Sequence, residues 1–215
     1  MRGFLVALEG IDGSGLTTHS RLLAERLKSE GYRAVYTKEP TWGPIGSLIR
    51  ELLYREESLD SDIMALLYAA DRLWHLRVSS CAGPGVLRLL EEGYIVVSDR
   101  YKYSSIAYQG SWSSIEWVEA LNSRAPDADL VVYVDVPVEV ALARIEARGA
   151  RAFYEKREIL EEVKRVLEAT LARAEARGVR VARVRGVKQS GEPRSVSEVH
   201  EEIYSVTVDA IKRRL

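Results

Sequence analysis

Five short apolar runs, rich in Val, Ile, Leu and Tyr, alternate along the chain with longer stretches of helical periodicity. The runs show no apolar–polar alternation, which indicates strands that are buried on both faces. The predicted strands are residues 4–8, 34–37, 94–98, 130–134 and 179–184. The predicted helices lie near residues 17–29, 44–54, 60–79, 84–92, 113–123, 137–147, 155–177 and 195–213. This order predicts an α/β fold with a mostly parallel sheet and helices on both faces, and ligands of such folds bind at the carboxyl ends of the strands.

Length and composition narrow the class of protein further. The 215 residues fit one domain, 1–215, with a sizeable core. The net charge of −1 gives no bulk attraction to nucleic acid or to an anionic membrane, so local cations must hold any anionic ligand. No run of about 18 apolar residues predicts a membrane span. The single cysteine, Cys81, excludes an internal disulfide and indicates a reducing, cytoplasmic compartment.

Side chains that are damaged by heat are scarce, with one Asn, two Gln, one Cys and two Met. Such scarcity is a reported mark of thermophile proteins, and the excess of 24 Arg over seven Lys is a weaker one. We therefore expect a thermophile origin, which a thermal melt in the range of ordinary mesophile proteins would contradict.

A glycine-rich loop follows the first predicted strand and leads directly into a helix. The loop consists of Gly10, Ile11, Asp12, Gly13, Ser14, Gly15, Leu16, Thr17 and Thr18. Gly10, Gly15 and Thr17 match the two glycines and the hydroxyl of the Walker A pattern. Such glycines let backbone N–H groups turn towards a phosphate, and the helix start adds its positive dipole end. The loop is predicted to bind nucleotide phosphate, with Thr17 placed to coordinate Mg²⁺; a plain glycine-rich turn is the alternative.

The lysine of the Walker A pattern is absent, because Leu16 stands in its place. A leucine cannot contact the β- and γ-phosphates as an ammonium group would. Removing one preorganised oxyanion partner costs roughly 10²–10³ in rate in other enzymes. Either nearby cations compensate for Leu16, or the protein binds nucleotide and transfers phosphate slowly.

A carboxylate and an arginine follow the third predicted strand. Asp99 stands in the position of a Walker B-like carboxylate, which holds Mg²⁺ directly or through water. A helix cap or a surface carboxylate is the alternative for Asp99. Arg100 comes next and can aim a fork of donors at the phosphate of an acceptor.

Four segments resemble the thymidylate kinase family, in the right order and over nearly the whole chain. These segments are residues 4–15, 66–72, 99–110 and 126–149. The resemblance implies a three-layer P-loop NTPase fold with a five-stranded parallel sheet, a mobile lid at about residues 148–156, and a homodimer. It also implies transfer of the γ-phosphate of Mg·ATP to thymidine monophosphate (dTMP), which gives dTDP and ADP and makes residues 10–18 the ATP-binding loop.

The resemblance assigns the acceptor site to residues from three segments. Asp12 would accept a hydrogen bond from the acceptor sugar and steer the phosphoryl oxygen, although a turn-stabilising aspartate is the alternative. Tyr68 would stack on the base and Arg72, on the same helix face, would donate to a base carbonyl; without the resemblance, Tyr68 would be assigned to the core. The other acceptor candidates are Lys38, Arg100, Ser104, Ser105, Tyr108 and Gln109. Trp42, which replaces a family glycine near Lys38, is either a lid over the sugar or a surface aromatic.

Arginines follow the fourth predicted strand, where the family carries its lid. Arg144, Arg148 and Arg151 are expected to close over the β- and γ-phosphates, exclude water and stabilise the transferred charge. They are also the candidates to replace the missing lysine. The alternative is an ordinary solvated helix rich in Arg and Glu.

Three functions remain open on the sequence alone. The favoured one is an active thymidylate kinase in which lid arginines make up for Leu16. The second is a nucleotide-binding homologue that is catalytically impaired or regulatory. The third is a deoxynucleoside kinase, which accepts an unphosphorylated sugar; Arg100 and Lys38, as cations for an acceptor phosphate, argue against it.

Overall fold

The computed structural model describes residues 3–54, 60–149 and 156–214. Its strands are β1 (Phe4–Glu9), β2 (Ala34–Lys38), β3 (Ser79–Ser80), β4 (Gly83–Pro84), β5 (Ile95–Asp99), β6 (Leu130–Asp135) and β7 (Val181–Arg185). Its helices are α1 (Leu16–Ser29), α2 (Pro44–Tyr54), α3 (Ser61–Arg77), α4 (Val86–Glu91), α5 (Lys102–Tyr108), α6 (Ile115–Leu121), α7 (Val138–Glu146), α8 (Arg157–Ala176) and α9 (Val196–Lys212).

Five of these strands form one parallel sheet in the order β2-β5-β1-β6-β7. The central strand β1 is buried along its whole length, as its uninterrupted apolar sequence predicts. Helices cover the sheet and complete an apolar core that runs through the described residues. The predicted α/β fold with a five-stranded parallel sheet is therefore confirmed.

Because all five strands are parallel, their carboxyl ends meet at one edge of the sheet. Strand β1 ends at Glu9, β2 at Lys38 and β5 at Asp99. Lys38 pairs in register with Asp99, and Asp99 with Leu8 of β1. The topology thus brings residues that are far apart in sequence to the loop that follows β1.

Two local elements are missing from the sequence prediction. Helix α5 has only seven residues, and nearly all of its side chains are buried, so it shows no amphipathic period from which a helix could be predicted. The segment between α3 and α4 forms a small antiparallel hairpin, β3–β4, where the sequence pattern predicts a helix as far as residue 79 and another from residue 84. Gly83, with φ of 104°, provides the left-handed turn of this hairpin.

The predicted lid lies mostly outside the described residues. Arg148 and Gly149, at its start, are described, whereas Arg151 is not. Within the described ranges, no helix is long and apolar enough to cross a membrane.

Candidate active site

The loop between β1 and α1 is shaped to receive an anion. Gly13 and Gly15 have φ of 83° and 92°, which side-chain-bearing residues rarely adopt. The Ser14 hydroxyl donates to the Ile11 carbonyl at 2.6 Å and closes the turn. Gly15 precedes α1 in a left-handed conformation, and no described side chain caps it. The first N–H groups of α1 are therefore available to a phosphate, next to the positive end of the helix dipole.

Leu16 packs into the core instead of presenting a charge to this loop. Its side chain is only 5% exposed and joins the main apolar cluster around the sheet. Part of it still borders the cavity in front of the loop. The position of the Walker A lysine is thus filled by a well-packed apolar side chain.

Three oxygen-bearing side chains meet beside the loop. The Thr17 hydroxyl donates to Asp99 Oδ2 at 2.6 Å, and the Tyr36 hydroxyl lies 3.3 Å from the same oxygen. Mg²⁺ prefers oxygen ligands and is often held by one or two carboxylates together with substrate phosphates. Thr17 and Asp99 fit this donor set. Among the described residues, no cluster of three His, Cys, Asp or Glu side chains offers an alternative metal site.

Asp12 and Arg100 form an ion pair beside the loop. Arg100 Nη2 donates to Asp12 Oδ1 at 2.6 Å, while Arg100 Nη1 donates to the Gly10 carbonyl at 2.9 Å and to Ser104 Oγ at 3.0 Å. The Tyr108 hydroxyl donates to Asp12 Oδ2 at 3.0 Å. Burial opposes the charge of Arg100, but the negative charge of the nearby Asp12 and Asp99 carboxylates outweighs it and raises the pKa of Arg100. Burial raises the pKa of Tyr108, which keeps its hydroxyl protonated.

Arg72 is held in a fixed orientation on the wall of the same cavity. It is 2% exposed and donates from Nε and Nη2 to Glu39, from Nη1 to Asn122, and from Nη2 to Ser105 Oγ at 3.0 Å. His75 Nδ1 lies 2.8 Å from the other Glu39 oxygen. A guanidinium can only donate hydrogen bonds, so the remaining N–H of Arg72 suits a hydrogen-bond acceptor.

The cavity in front of the loop has a volume of about 540 Å³, and all eight residues predicted to bind the acceptor line it. These predicted residues are Lys38, Tyr68, Arg72, Arg100, Ser104, Ser105, Tyr108 and Gln109. Gln109 is buried, and its Oε1 has no hydrogen-bond partner among the described residues. A buried amide oxygen without a partner costs free energy.

Sequence reasoning missed one cation of this cavity, Arg50. Arg50 donates to the Thr41 carbonyl at 2.5 Å, and its guanidinium carbon lies 4.2 Å from the centre of the Trp42 ring. Lys38 Nζ lies 5.8 Å from the same ring. Trp42 itself is 63% exposed and is not among the described residues that line the cavity. No motif marks Arg50, because its place in the site comes from the packing of α2 against the segment that follows β2.

A second cavity of about 330 Å³ lies on the other side of the loop. Arg144 borders it and donates from Nη1 to the Gly13 carbonyl at 3.3 Å. Burial and the neighbouring Arg148 lower the pKa of Arg144. Arg148 borders both cavities, as do Gly13, Gly15 and Thr18. Because it contacts the loop, Arg144 differs from an ordinary arginine on a solvated helix face.

The remaining loop residues divide between the two cavities. Ile11, Asp12, Leu16 and Thr17 line the larger one and Ser14 the smaller one, whereas Gly10 is not among the described residues that line either. A Cβ at Gly10 would lie 2.6 Å from Ser14 Oγ and 2.9 Å from the Val134 carbonyl, so its role is close packing beneath the loop.

Two cavities that share one phosphate loop suit a reaction in which a phosphoryl group passes between two bound nucleotides. The fold and the site together therefore define a P-loop nucleotide kinase.

Comparison with known proteins names the family. The thymidylate kinase family model matches residues 8–188. A putative thymidylate kinase of Aeropyrum pernix is 53% identical over 211 residues, which cover 96% of this chain and 97% of that protein. A probable thymidylate kinase of Pyrococcus abyssi is 40% identical over 214 residues, 96% of each chain. The chain belongs to the thymidylate kinase family and is a nucleoside monophosphate kinase.

Proposed function

We propose that this chain transfers the γ-phosphate of Mg·ATP to dTMP and releases dTDP and ADP. The observation that carries this proposal is the arrangement around one loop of two pairs, Thr17 with Asp99 and Asp12 with Arg100. The first pair suits a metal ion and the second an acceptor phosphate. Phosphoryl transfer depends on positioning and charge neutralisation more than on covalent help, so these pairs supply what the reaction needs.

The acceptor would occupy the larger cavity, with its phosphate towards Arg100, Lys38 and Arg50. Arg72 would donate to a carbonyl oxygen of the thymine ring, and Gln109, which lines the same cavity, would contact the base. Tyr68 would stack against the base. Asp12, which already accepts from Arg100 and Tyr108, would receive a hydrogen bond from the sugar.

The donor would lie across the loop with its base and ribose in the smaller cavity. Thr17 and Asp99 would hold Mg²⁺, which when bound neutralises charge on the donor phosphates. The N–H groups at the start of α1 would bind those phosphates, and Arg144, Arg148 and the lid residue Arg151 would supply the charge that Leu16 lacks. The support for this role is that Arg144 touches the loop and Arg148 borders both cavities.

We also propose a cytoplasmic homodimer that forms through α2 and α3. Leu48 of α2 and Ile63 and Leu66 of α3 are exposed apolar side chains on two helices that pack together. Burying such a face in a second copy removes apolar surface from water. Sedimentation of wild type and Leu66→Glu tests this: a wild-type dimer that the substitution dissociates supports it, and a wild-type monomer contradicts it.

The test of the main proposal is ADP release with Mg·ATP and dTMP, across temperature, with thymidine and other nucleoside monophosphates as controls. Turnover specific to dTMP supports the kinase. Leu16 favours one other candidate, a nucleotide-binding homologue with impaired transfer. Saturable binding of both nucleotides without turnover would favour that candidate, and equal turnover of thymidine and dTMP would favour a deoxynucleoside kinase.

A further inference from the structure

Glu9 is a fully buried carboxylate (0% exposed) to which the proposed reaction gives no role. It ends β1 directly before the phosphate loop, yet it is not among the described residues that line either cavity. Burial raises the pKa of Glu9 to about 7, so its ionised form is costly here and needs partners. The cations that face it are Arg100 and Arg72.

The partners of Glu9 all lie at the start of α5. Glu9 Oε1 accepts from the backbone N–H of Tyr101 at 2.9 Å and from that of Ser104 at 3.3 Å. Glu9 Oε2 accepts from the Ser104 hydroxyl. Tyr101 precedes α5, and no described side chain of α5 itself caps this end. Glu9, at the end of β1, therefore caps α5 from outside the helix and, when ionised, places a negative charge at its positive end.

The backbone that Glu9 holds is strained at Arg100. Arg100 has φ of 69° and is the one non-glycine residue with a left-handed conformation among those the structure describes. Such a conformation costs on the order of 1 kcal/mol or more and persists only where its surroundings fix it. Here β1 holds both sides, because the Arg100 N–H donates to the Leu8 carbonyl at 3.0 Å and the next N–H donates to Glu9.

Side-chain hydrogen bonds also link Glu9 to Arg100 and to the start of α5. The Ser104 hydroxyl donates to Glu9 and accepts from Arg100 Nη1 at 3.0 Å, so one hydroxyl links the carboxylate to the guanidinium. The same Nη1 reaches the Gly10 carbonyl, the residue after Glu9. Helix α5 also carries Ser105 and Tyr108, both on the acceptor cavity.

From this connection we infer that Glu9 is a positioning residue for the acceptor: acting through Ser104, it holds Arg100 and α5 in the geometry that binds dTMP. The inference rests on the proposed function, since it concerns the acceptor of that reaction. Glu9 touches no ligand in it. Its effect falls on the acceptor, because its bonds go to α5, whereas the donor lies on α1 and α7.

The experiment measures dissociation constants for dTMP and for ATP separately by calorimetry at pH 8, where Glu9 is ionised. The variants are Glu9→Gln, Ser104→Ala and their combination. The control is Asp129→Asn, because Asp129 also binds a backbone N–H of β1, that of Leu5 at 2.7 Å, at the opposite end of the strand.

We expect Glu9→Gln to weaken dTMP binding about tenfold and ATP binding less than twofold. The double variant should bind dTMP only slightly more weakly than the weaker-binding of the two single variants, since both substitutions break the same link. Asp129→Asn should leave both constants unchanged. Equal losses for dTMP and ATP, or fully additive losses in the double variant, would overturn the inference.

If Glu9→Gln does not fold by circular dichroism, Ser104→Ala alone decides, and unchanged dTMP binding by that variant would overturn the inference. Wild-type protein that binds dTMP without turning it over counts against the proposed function and leaves this test intact.

Discussion

Replacing Leu16 with lysine tests how the site manages without the Walker A cation. A full oxyanion contact is worth roughly 10²–10³ in rate. Arg144 already lies against the loop and Arg148 borders both cavities, so part of that stabilisation is in place. We therefore expect Leu16→Lys to raise kcat by only about tenfold, which corresponds to ~1.4 kcal/mol of transition-state stabilisation.

The same substitution should lower stability. Leu16 is buried in the core, and full burial of a leucine side chain is worth about 1.5–3 kcal/mol. The lysine stem can cover part of that apolar surface while its amine reaches the cavity. We expect the free energy of unfolding to fall by about 1–2 kcal/mol, measured by denaturant titration.

The assay is ADP release at saturating Mg·ATP and dTMP. Leu16→Met is the matched control, because it keeps volume and adds no charge, and it should leave kcat unchanged. Leu16→Lys should raise kcat by a larger factor in an Arg148→Ala background than in the wild type. An unchanged or lower kcat in folded Leu16→Lys, or a gain of the full 10³, would refute the reasoning that the arginines compensate in part.

Three further predictions concern the acceptor wall, the metal pair and the buried glutamate. Arg72→Lys keeps a cation beside Glu39 but loses the planar guanidinium, which donates to several partners at once. The affinity for dTMP should therefore fall about tenfold and the affinity for ATP less than twofold, measured by calorimetry. Equal losses would contradict a base-pocket role. Thr17→Val removes the hydroxyl beside Asp99 and should lower kcat about 10²-fold, whereas the kcat of Thr17→Ser should stay near that of the wild type. If Thr17→Val keeps the full rate across a Mg²⁺ titration, Thr17 is not a ligand of Mg²⁺. Because the folded-state pKa of Glu9 is raised to about 7 from 4.5, its contribution to stability is present below pH 4.5 and is lost as pH rises through 7. Relative to Glu9→Gln, the wild-type free energy of unfolding should therefore fall by about 3 kcal/mol between pH 4.5 and 7.5, and parallel pH curves for the two proteins would contradict this.

The sequence was sufficient to predict the parallel sheet and the glycine loop because both depend on local patterns. Buried parallel strands appear as continuous apolar runs, and the loop residues that are proposed to bind phosphate are contiguous. Asp99 and Arg100 could be placed at the ligand edge because they follow a strand directly. These inferences need only the chain order and the rule that parallel strands end together.

The contacts that orient the site could not be predicted in the same way. Glu9 meets Ser104 across 95 residues, and Arg72 meets Glu39 across 33. Such pairs depend on the packing of helices on the sheet and leave no spacing signal in the sequence. Arg50 was missed for the same reason, and α5 because its buried Ser104 and Ser105 interrupt any apolar stripe.

The contact between the phosphate loop and α7 limits how this protein can change. A Cβ on Gly13 would collide with the backbone of Ala141, so peptide lies directly on peptide with no side chain between them. A displacement of the loop would therefore be transmitted to α7, the helix that carries Arg144. A mutation that alters the path of the loop or of α7 will therefore be tolerated only when the other element shifts with it.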